Sequence, residues 1–471
     1  MRSSRTVASG IAGALAIGLL AACSSGGGTA DETTDGDEPT SGAEEVSITV
    51  AGLLPGAEQA AVDALEKRIE EFEAKYPNIT VEAQEYQWLA STFTAALAGG
   101  TLPTVFEIPV TDAKTMIENQ QLADLNDAVA ANMPYADEFN EVVAANGIGE
   151  DGHFYALPAK SFYAVALHYN RNLFEQAGLD PDQPPTTWDE VREYAKQIKD
   201  KTGVYGYGMM ALDNAGGWQL TAAANSRGGV AEVDNGDGTY SATLDDPAIK
   251  EHLEWLSALR WEDDSIYPDT TLGWAEINQA FGGGQIAMYT SGSDVYTALV
   301  QNQALTPDWG YGLAPLPTSD DGGTLGGGTL AGVRADATDA EKDAAVKWID
   351  FWYLAKLRDQ EQAVADAEAN VANGQPIGVP VLPIFGQDLY EQSLEWVKDY
   401  INVPLEDMKP YTDVMFSQPL FPEPARGTQP LYGLLFPLVQ AVLTDENADI
   451  DALVAAADEQ GQVKIDTNAE S

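Results

Sequence analysis

The chain has 471 residues, a formal net charge of −50 and 44% hydrophobic residues, including ten tryptophans. That length exceeds one ordinary core, so two or more lobes are expected, and the apolar content excludes wholesale disorder. With 24 basic against 74 acidic residues, no surplus of Lys or Arg exists to neutralise phosphates, which excludes nucleic acid as a partner and disfavours a large anionic substrate.

Met1-Arg2-Ser3-Ser4-Arg5 precedes an apolar run over residues 11–22. A basic start followed by so short a hydrophobic stretch predicts a secretory signal rather than a membrane span. The run ends Leu20-Ala21-Ala22-Cys23, which resembles a bacterial lipobox. Cys23 is therefore expected to be lipidated and to anchor the mature chain to the outer face of the cytoplasmic membrane. It is the chain's one cysteine, so no intrachain disulfide can form. Residues 23–45, rich in Ser, Gly, Thr and acids, predict a flexible tether.

Residues 46–50 (VSITV) alternate as a half-buried strand. Val62, Leu65, Ile69, Phe72 and Tyr76 then follow at helical spacing, stopped by Pro77. Strands over 79–81 and 105–108, with a helix over 89–98, complete a β-α-β-α-β rhythm and predict an α/β sheet whose ligands bind beyond the carboxyl ends of its strands. Residues 164–169 predict a buried strand, and Thr187 with Glu190 predicts a capping box opening a helix. Gly216-Gly217-Trp218 predicts a loop or helix start, and Asp234-Asn235-Gly236-Asp237-Gly238 a hairpin turn in preference to a calcium loop. Residues 316–330, dense in glycine, predict a turn, and Thr338 with Glu341 caps a helix carrying Trp348 and Trp352.

No phosphate-binding loop, nucleophile elbow or His-Glu-x-x-His motif occurs, and His153, His168 and His252 are far apart in sequence. Acids are so dense that adjacent pairs such as Asp245–Asp246 carry no catalytic signal. No enzyme, cofactor or metal is expected.

In order along the chain stand FEAKYPNITV (72–81), ALAGGTLPTVFEI (96–108), FYALPAKSFYAVALHYNRNLFEQAGLDP (154–181), AFGGGQIAMYTSGS (280–293) and DAEKDAAVKWIDFWY (339–353). This succession behind a lipobox resembles the family 1 extracellular solute-binding proteins, the sugar-binding lipoproteins of bacterial ABC importers. One departure is Thr104, where that family usually has Asp. The resemblance implies a two-lobed periplasmic-binding-protein-like α/β fold with a ligand cleft between lobes and several hinge crossings, near residues 158–161, 326–330 and 383–387. The lobes would comprise residues 46–158 plus 328–385, and residues 159–327 plus 386–471. It implies capture of a neutral mono- or oligosaccharide by a monomer that hands it to ABC permease subunits. Glycerol phosphate or another polar solute is the alternative, and a secreted glycoside hydrolase a more distant one.

A sugar offers C–H faces to aromatic rings and hydroxyls to polar side chains. Trp218 and Trp274, flanked by glycine or small residues, are expected stacking residues, with Tyr289 and Trp88 behind them. Glu58, Asp112 and Arg426 are the polar candidates, Arg426 favoured because basic residues are scarce. Gly327, with Gly328, would bring backbone close to a hydroxyl or allow the hinge its angles. Lys160 and Phe162 would line the cleft beside the first crossing.

Overall fold

The computed structural model describes residues 45–469 apart from Leu54, Glu58 and Leu89, so Cys23, nearly all of the expected tether and the candidate Glu58 lie outside the described residues. The strands are β1 (Val46–Leu53), β2 (Ile79–Glu85), β3 (Val105–Pro109), β4 (Ala156–Asn170), β5 (Tyr205–Tyr207), β6 (Glu232–Asp234), β7 (Tyr240–Ala242), β8 (Ile286–Gly292), β9 (Tyr311–Pro315), β10 (Thr324–Val333) and β11 (Leu420–Phe421). Nine of them form one sheet in the order β2-β1-β3-β10-β4-β8-β5, with β11 beside β10 and β9 beside β4. β1 runs parallel to β2 and β3, as helical crossovers require.

Helix α1 (Gln59–Lys75) supplies the first crossover, and its expected apolar face holds. Leu65 and Phe72 are buried, and the Phe72 ring meets Trp348 edge-on at 5.2 Å. Helices α2 (Ala90–Ala98) and α3 (Val110–Glu118) follow β2 and β3. Where Asp was expected, Thr104 ties β3 to β1: its N–H donates to Thr49 Oγ1 at 2.8 Å and its own Oγ1 accepts from Thr49 N at 3.2 Å.

The crossing between lobes is continuous strand rather than loop. β4 pairs antiparallel with β10 over Ala156 to Ala164, then with β8 and β9 over its last residues. Phe162 pairs with Gly328 and Pro158 with Leu330, so Ala159, Lys160 and Ser161 stand opposite the single residue Thr329. This bulge accommodates a proline inside a central strand, because the ladder is interrupted there. The glycine-dense segment expected as a turn is strand β10 itself. A Cβ at Gly327 would lie 2.5 Å from Tyr163 Oη, and one at Gly328 2.5 Å from Phe162 Cδ1. The glycines make room for two rings lying across the strand. Near the third crossing, Leu382 N–H donates to Phe162 O at 2.8 Å.

One buried cluster runs from β1–β3 along β4 to Tyr289 and Tyr311, and a second fills the other lobe beneath helices Asp213–Ser226 and Thr428–Thr444. Those helices approach closely at Gly217, where a Cβ would lie 2.2 Å from Tyr432 O. Of the two readings for Gly216 to Trp218, the helix holds: they lie in the first turns of Asp213–Ser226. Both capping boxes form, at Thr187 with Glu190 and at Thr338 with Glu341. The hairpin turn also forms, between β6 and β7, with Gly236 and Gly238 at φ of 75° and 87°.

Candidate ligand cleft

A cavity of about 600 Å³ opens between the lobes. Its floor is the crossing itself: Phe162 of β4, Gly326 and Gly327 of β10, and Leu382. One wall is α3, through Val110, Thr111, Lys114, Ile117 and Glu118, with residues 142–150 beside it. The opposite wall carries Thr221 and Asn225 of helix Asp213–Ser226, the β6–β7 hairpin through Glu232, Asp234 and Tyr240, and the segment 420–425.

The two walls touch directly. Lys114 Nζ donates to Tyr240 Oη at 3.1 Å, Arg426 pairs with Glu118 Oε2 at 2.6 Å, and Gln429 Nε2 donates to Thr111 Oγ1 at 3.3 Å. The Tyr240 ring also takes Lys114 at 5.5 Å and Arg426 at 5.3 Å from its centroid. Such cation–π contacts contribute about 0.5–2 kcal/mol each. Glu232 braces the Arg426 loop by accepting the N–H groups of Ala425 (2.7 Å), Arg426 (2.9 Å) and Gly427 (3.1 Å). Burial raises the Glu118 carboxyl above its ordinary range, opposed by Arg426 and Lys114. The arrangement is a clasp: one helix of the first lobe grips the hairpin and the 424–429 loop of the second.

Carboxylates dominate the cleft, where Glu118, Glu150, Glu232, Asp234 and Glu423 accompany Lys114. Glu423 is half-buried as a residue, and its Oε1 is sealed from solvent. Its Oε2 accepts from Tyr432 Oη. Burial pushes this carboxyl up to about 8, opposed by a hydrogen bond from the Trp218 indole. Glu118 Oε1 is buried and unpartnered.

Of the residues expected from sequence, Gly327 lines the cavity and Arg426 lies in the clasp at its edge. Trp218 does not line it; its ring meets Tyr163 edge-on at 6.2 Å and its Nε1 is buried. Asp112 sits in the first turn of α3. At 100° per residue it points away from the face carrying Lys114 and Glu118. Burial raises its carboxyl to about 6, against a hydrogen bond from Thr111, and its Oδ2 is unpartnered. Trp88, just after β2, is half-buried with an unpartnered Nε1. Trp274, at the start of helix Trp274–Gly282, is 47% exposed and does not line the cavity. Tyr289 is fully buried in the core, its hydroxyl donating to Asn278 Oδ1 at 2.7 Å, so no ligand reaches it in this conformation. Phe162 lines the cavity floor, whereas Lys160 is exposed and pairs with Glu107 at 2.6 Å.

Lys114, Glu118, Tyr240 and Glu423 were not anticipated. Glu423 stands three residues before Arg426 in the loop singled out for its scarce cation, but one acid among 74 gives no signal of its own. Tyr240 is brought in by the hairpin, whose turn was legible although the direction it faces was not.

A family model of bacterial extracellular solute-binding proteins matches residues 67–369. The chain is 25% identical over 302 residues to the sn-glycerol-3-phosphate-binding periplasmic protein UgpB of Escherichia coli K12, covering 62% of each chain. Less than two thirds of that relative's length is therefore spanned. Among solved structures, the GacH receptor of Streptomyces glaucescens, known unliganded and with acarbose, superposes with TM-score 0.68 at 22% identity, covering 90% of this chain and 99% of that one. UgpB of Mycobacterium tuberculosis in complex with glycerophosphocholine gives TM-score 0.69 at 17% identity, with coverage of 90% and 99%. The cyclic alpha-maltosyl-1,6-maltose binding protein of Arthrobacter globiformis gives 0.64 at 22%, with 89% and 99%. These likenesses establish the two-lobed α/β binding-protein fold.

Proposed function

We propose that this chain, which belongs to the family of bacterial extracellular solute-binding proteins, captures a neutral mono- or oligosaccharide in the interlobe cleft and delivers it to an ABC permease. The family places it outside the cytoplasm. The mature protein is read as a monomer held at the membrane by lipid on Cys23, with residues 24–45 as its tether. Its lobes are read as residues 46–158 plus 328–385 and residues 159–327 plus 386–471. Binding is closure about the β4 and β10 crossings, with no chemistry done on the ligand.

The carrying observation is the charge of the cleft. One lysine accompanies five acidic side chains along its lining. The lysine is hydrogen-bonded to Tyr240, and nearby Arg426 is held by Glu118. A phosphate needs unspent cations or aimed N–H groups, whereas hydroxyls donate readily to carboxylates. The curated relatives named for sn-glycerol 3-phosphate make that solute the competing reading. Calorimetric titration with glucose, maltose, maltotriose, sn-glycerol 3-phosphate and glycerophosphocholine separates the two. A neutral sugar should bind and the phosphates should not; binding of sn-glycerol 3-phosphate alone would replace this reading.

A further inference from the structure

Helix Asp213–Ser226 buries four polar side chains, Gln219, Thr221, Asn225 and Ser226, each no more than 2% exposed. Two of them are spent on structure. Gln219 accepts from Met210 N at 2.6 Å and donates to Thr290 O at 3.0 Å. Ser226 Oγ accepts from Trp188 Nε1 at 2.9 Å and donates to Ala223 O at 2.7 Å. Asn225 is different. It lines the cavity, its side-chain amide has no hydrogen-bond partner among the described residues, and neither amide atom is sealed as the Thr221 hydroxyl is. Helix propensity does not account for it, since asparagine is a poorer helix former than Ala222, Ala223 and Ala224 before it. The backbone fixes where this amide stands. Asn225 O accepts from Gly228 N and Gly323 N, both at 3.0 Å, which ties the end of the helix to the entry of β10. Gly323 also makes room for Phe421, whose Cδ2 would lie 2.5 Å from a Cβ there. Phe421 lines the same cavity, as does the bare backbone of Gly326. An aromatic ring, an open stretch of strand and an unspent amide thus border one space.

We propose that Asn225 is a ligand-binding residue whose amide reads two adjacent hydroxyls of the bound sugar. One hydroxyl donates to Oδ1 and its neighbour accepts from Nδ2. This rests on the sugar reading and names the group of the second lobe that recognises it. A hydroxyl both donates and accepts, and a primary amide offers both roles side by side, so a pair of neighbouring hydroxyls matches it. A fully ionised phosphate only accepts, so it would satisfy Nδ2 and leave Oδ1 facing an anion. Phe421 then covers a C–H face of the same sugar. The amide carries no charge, so this recognition does not depend on the acidic side chains around it.

The test is calorimetry of wild type and Asn225→Ala with glucose, maltose and maltotriose, then with monodeoxy analogues of the tightest of these. The substitution removes no hydrogen bond inside the chain, so the free variant should melt at or above the wild-type temperature. Its affinity for the parent sugar should fall about tenfold or more. In wild type, two analogues lacking neighbouring hydroxyls should each bind about tenfold more weakly than the parent. In Asn225→Ala those two losses should shrink to under about twofold, while losses at the other hydroxyls stay as they were, which a merely structural role would not produce. Unchanged sugar affinity in Asn225→Ala, deoxy losses equal in the two proteins, or a variant melting more than about 5 °C below wild type would each overturn the proposal while leaving sugar binding intact. Failure of wild type to bind any of the three sugars would overturn the ligand class, and this proposal with it.

Discussion

Two groups of polar side chains, one in the second lobe's core and one at the cleft, are built on opposite terms. In the core, His168 accepts from Tyr311 Oη at Nδ1 (2.7 Å) and donates from Nε2 to Ser291 O at 3.1 Å. Tyr289 lies tilted over it at 5.0 Å with its own hydroxyl paired to Asn278. Each hydroxyl and ring nitrogen of those three side chains has a partner. At the cleft, Glu118 and Glu423 line the cavity, and Oε1 of Glu118 is buried without one. Burial alone therefore does not distinguish structure from recognition. What distinguishes them is position: the core group is sealed on every side, whereas the cleft residues border the cavity and join its two walls.

Removing a member of the closed group should damage folding and spare binding. Tyr289→Ala is expected to cost about 3–5 kcal/mol of unfolding free energy, measured by urea denaturation, with the sugar affinity of the folded fraction unchanged. The same group makes the protein acid-sensitive. Burial depresses the His168 imidazole to about 4, so on acidification the unfolded chain takes up its proton first, near the ordinary value of 6.5. Stability from this source is complete above about pH 6.5 and is lost as pH falls towards 4, by up to about tenfold in the unfolding constant per unit. Thermal melts over that window should show the loss, and His168→Asn should flatten it.

Breaking the clasp should do the reverse. Arg426→Ala leaves Glu118 partly buried without its cation, and both side chains are about one-fifth exposed, so the cost is discounted to about 1–2 kcal/mol. It is expected to appear as about tenfold weaker sugar binding and a larger radius of gyration in solution scattering, with little change in melting temperature. Tyr240→Phe removes the Lys114 hydrogen bond but keeps the ring under both cations. Its effect on affinity should be under about 1 kcal/mol, and a loss as large as that of Arg426→Ala would show that the hydroxyl, not the ring, carries the clasp.

Periodic features were legible in the sequence. The helix bearing Leu65 and Phe72, the capping boxes at Thr187 and Thr338, and the β6–β7 turn each follow from local spacing or backbone chemistry. Glycine was misleading once. At Gly327 and Gly328 the missing Cβ admits an aromatic ring, a tertiary cause that local rules read as a turn, whereas Gly217 admits the Tyr432 backbone inside the helix that was one of its two readings. Tyr289 shows the matching limit for aromatics: a strand end beside Ser291 and Gly292 suits a ligand ring and a core ring equally. The cleft was legible where a residue type was scarce, as at Arg426, and illegible where it was common, as at Glu423.

The central claim is that the cleft between α3 and the β6–β7 hairpin is where the ligand sits. A crystal structure of the protein with the tightest-binding neutral sugar tests it directly. The account predicts the sugar between α3 and the β6–β7 hairpin, over the floor formed by Phe162 and Gly327. A sugar bound elsewhere on the protein would contradict it.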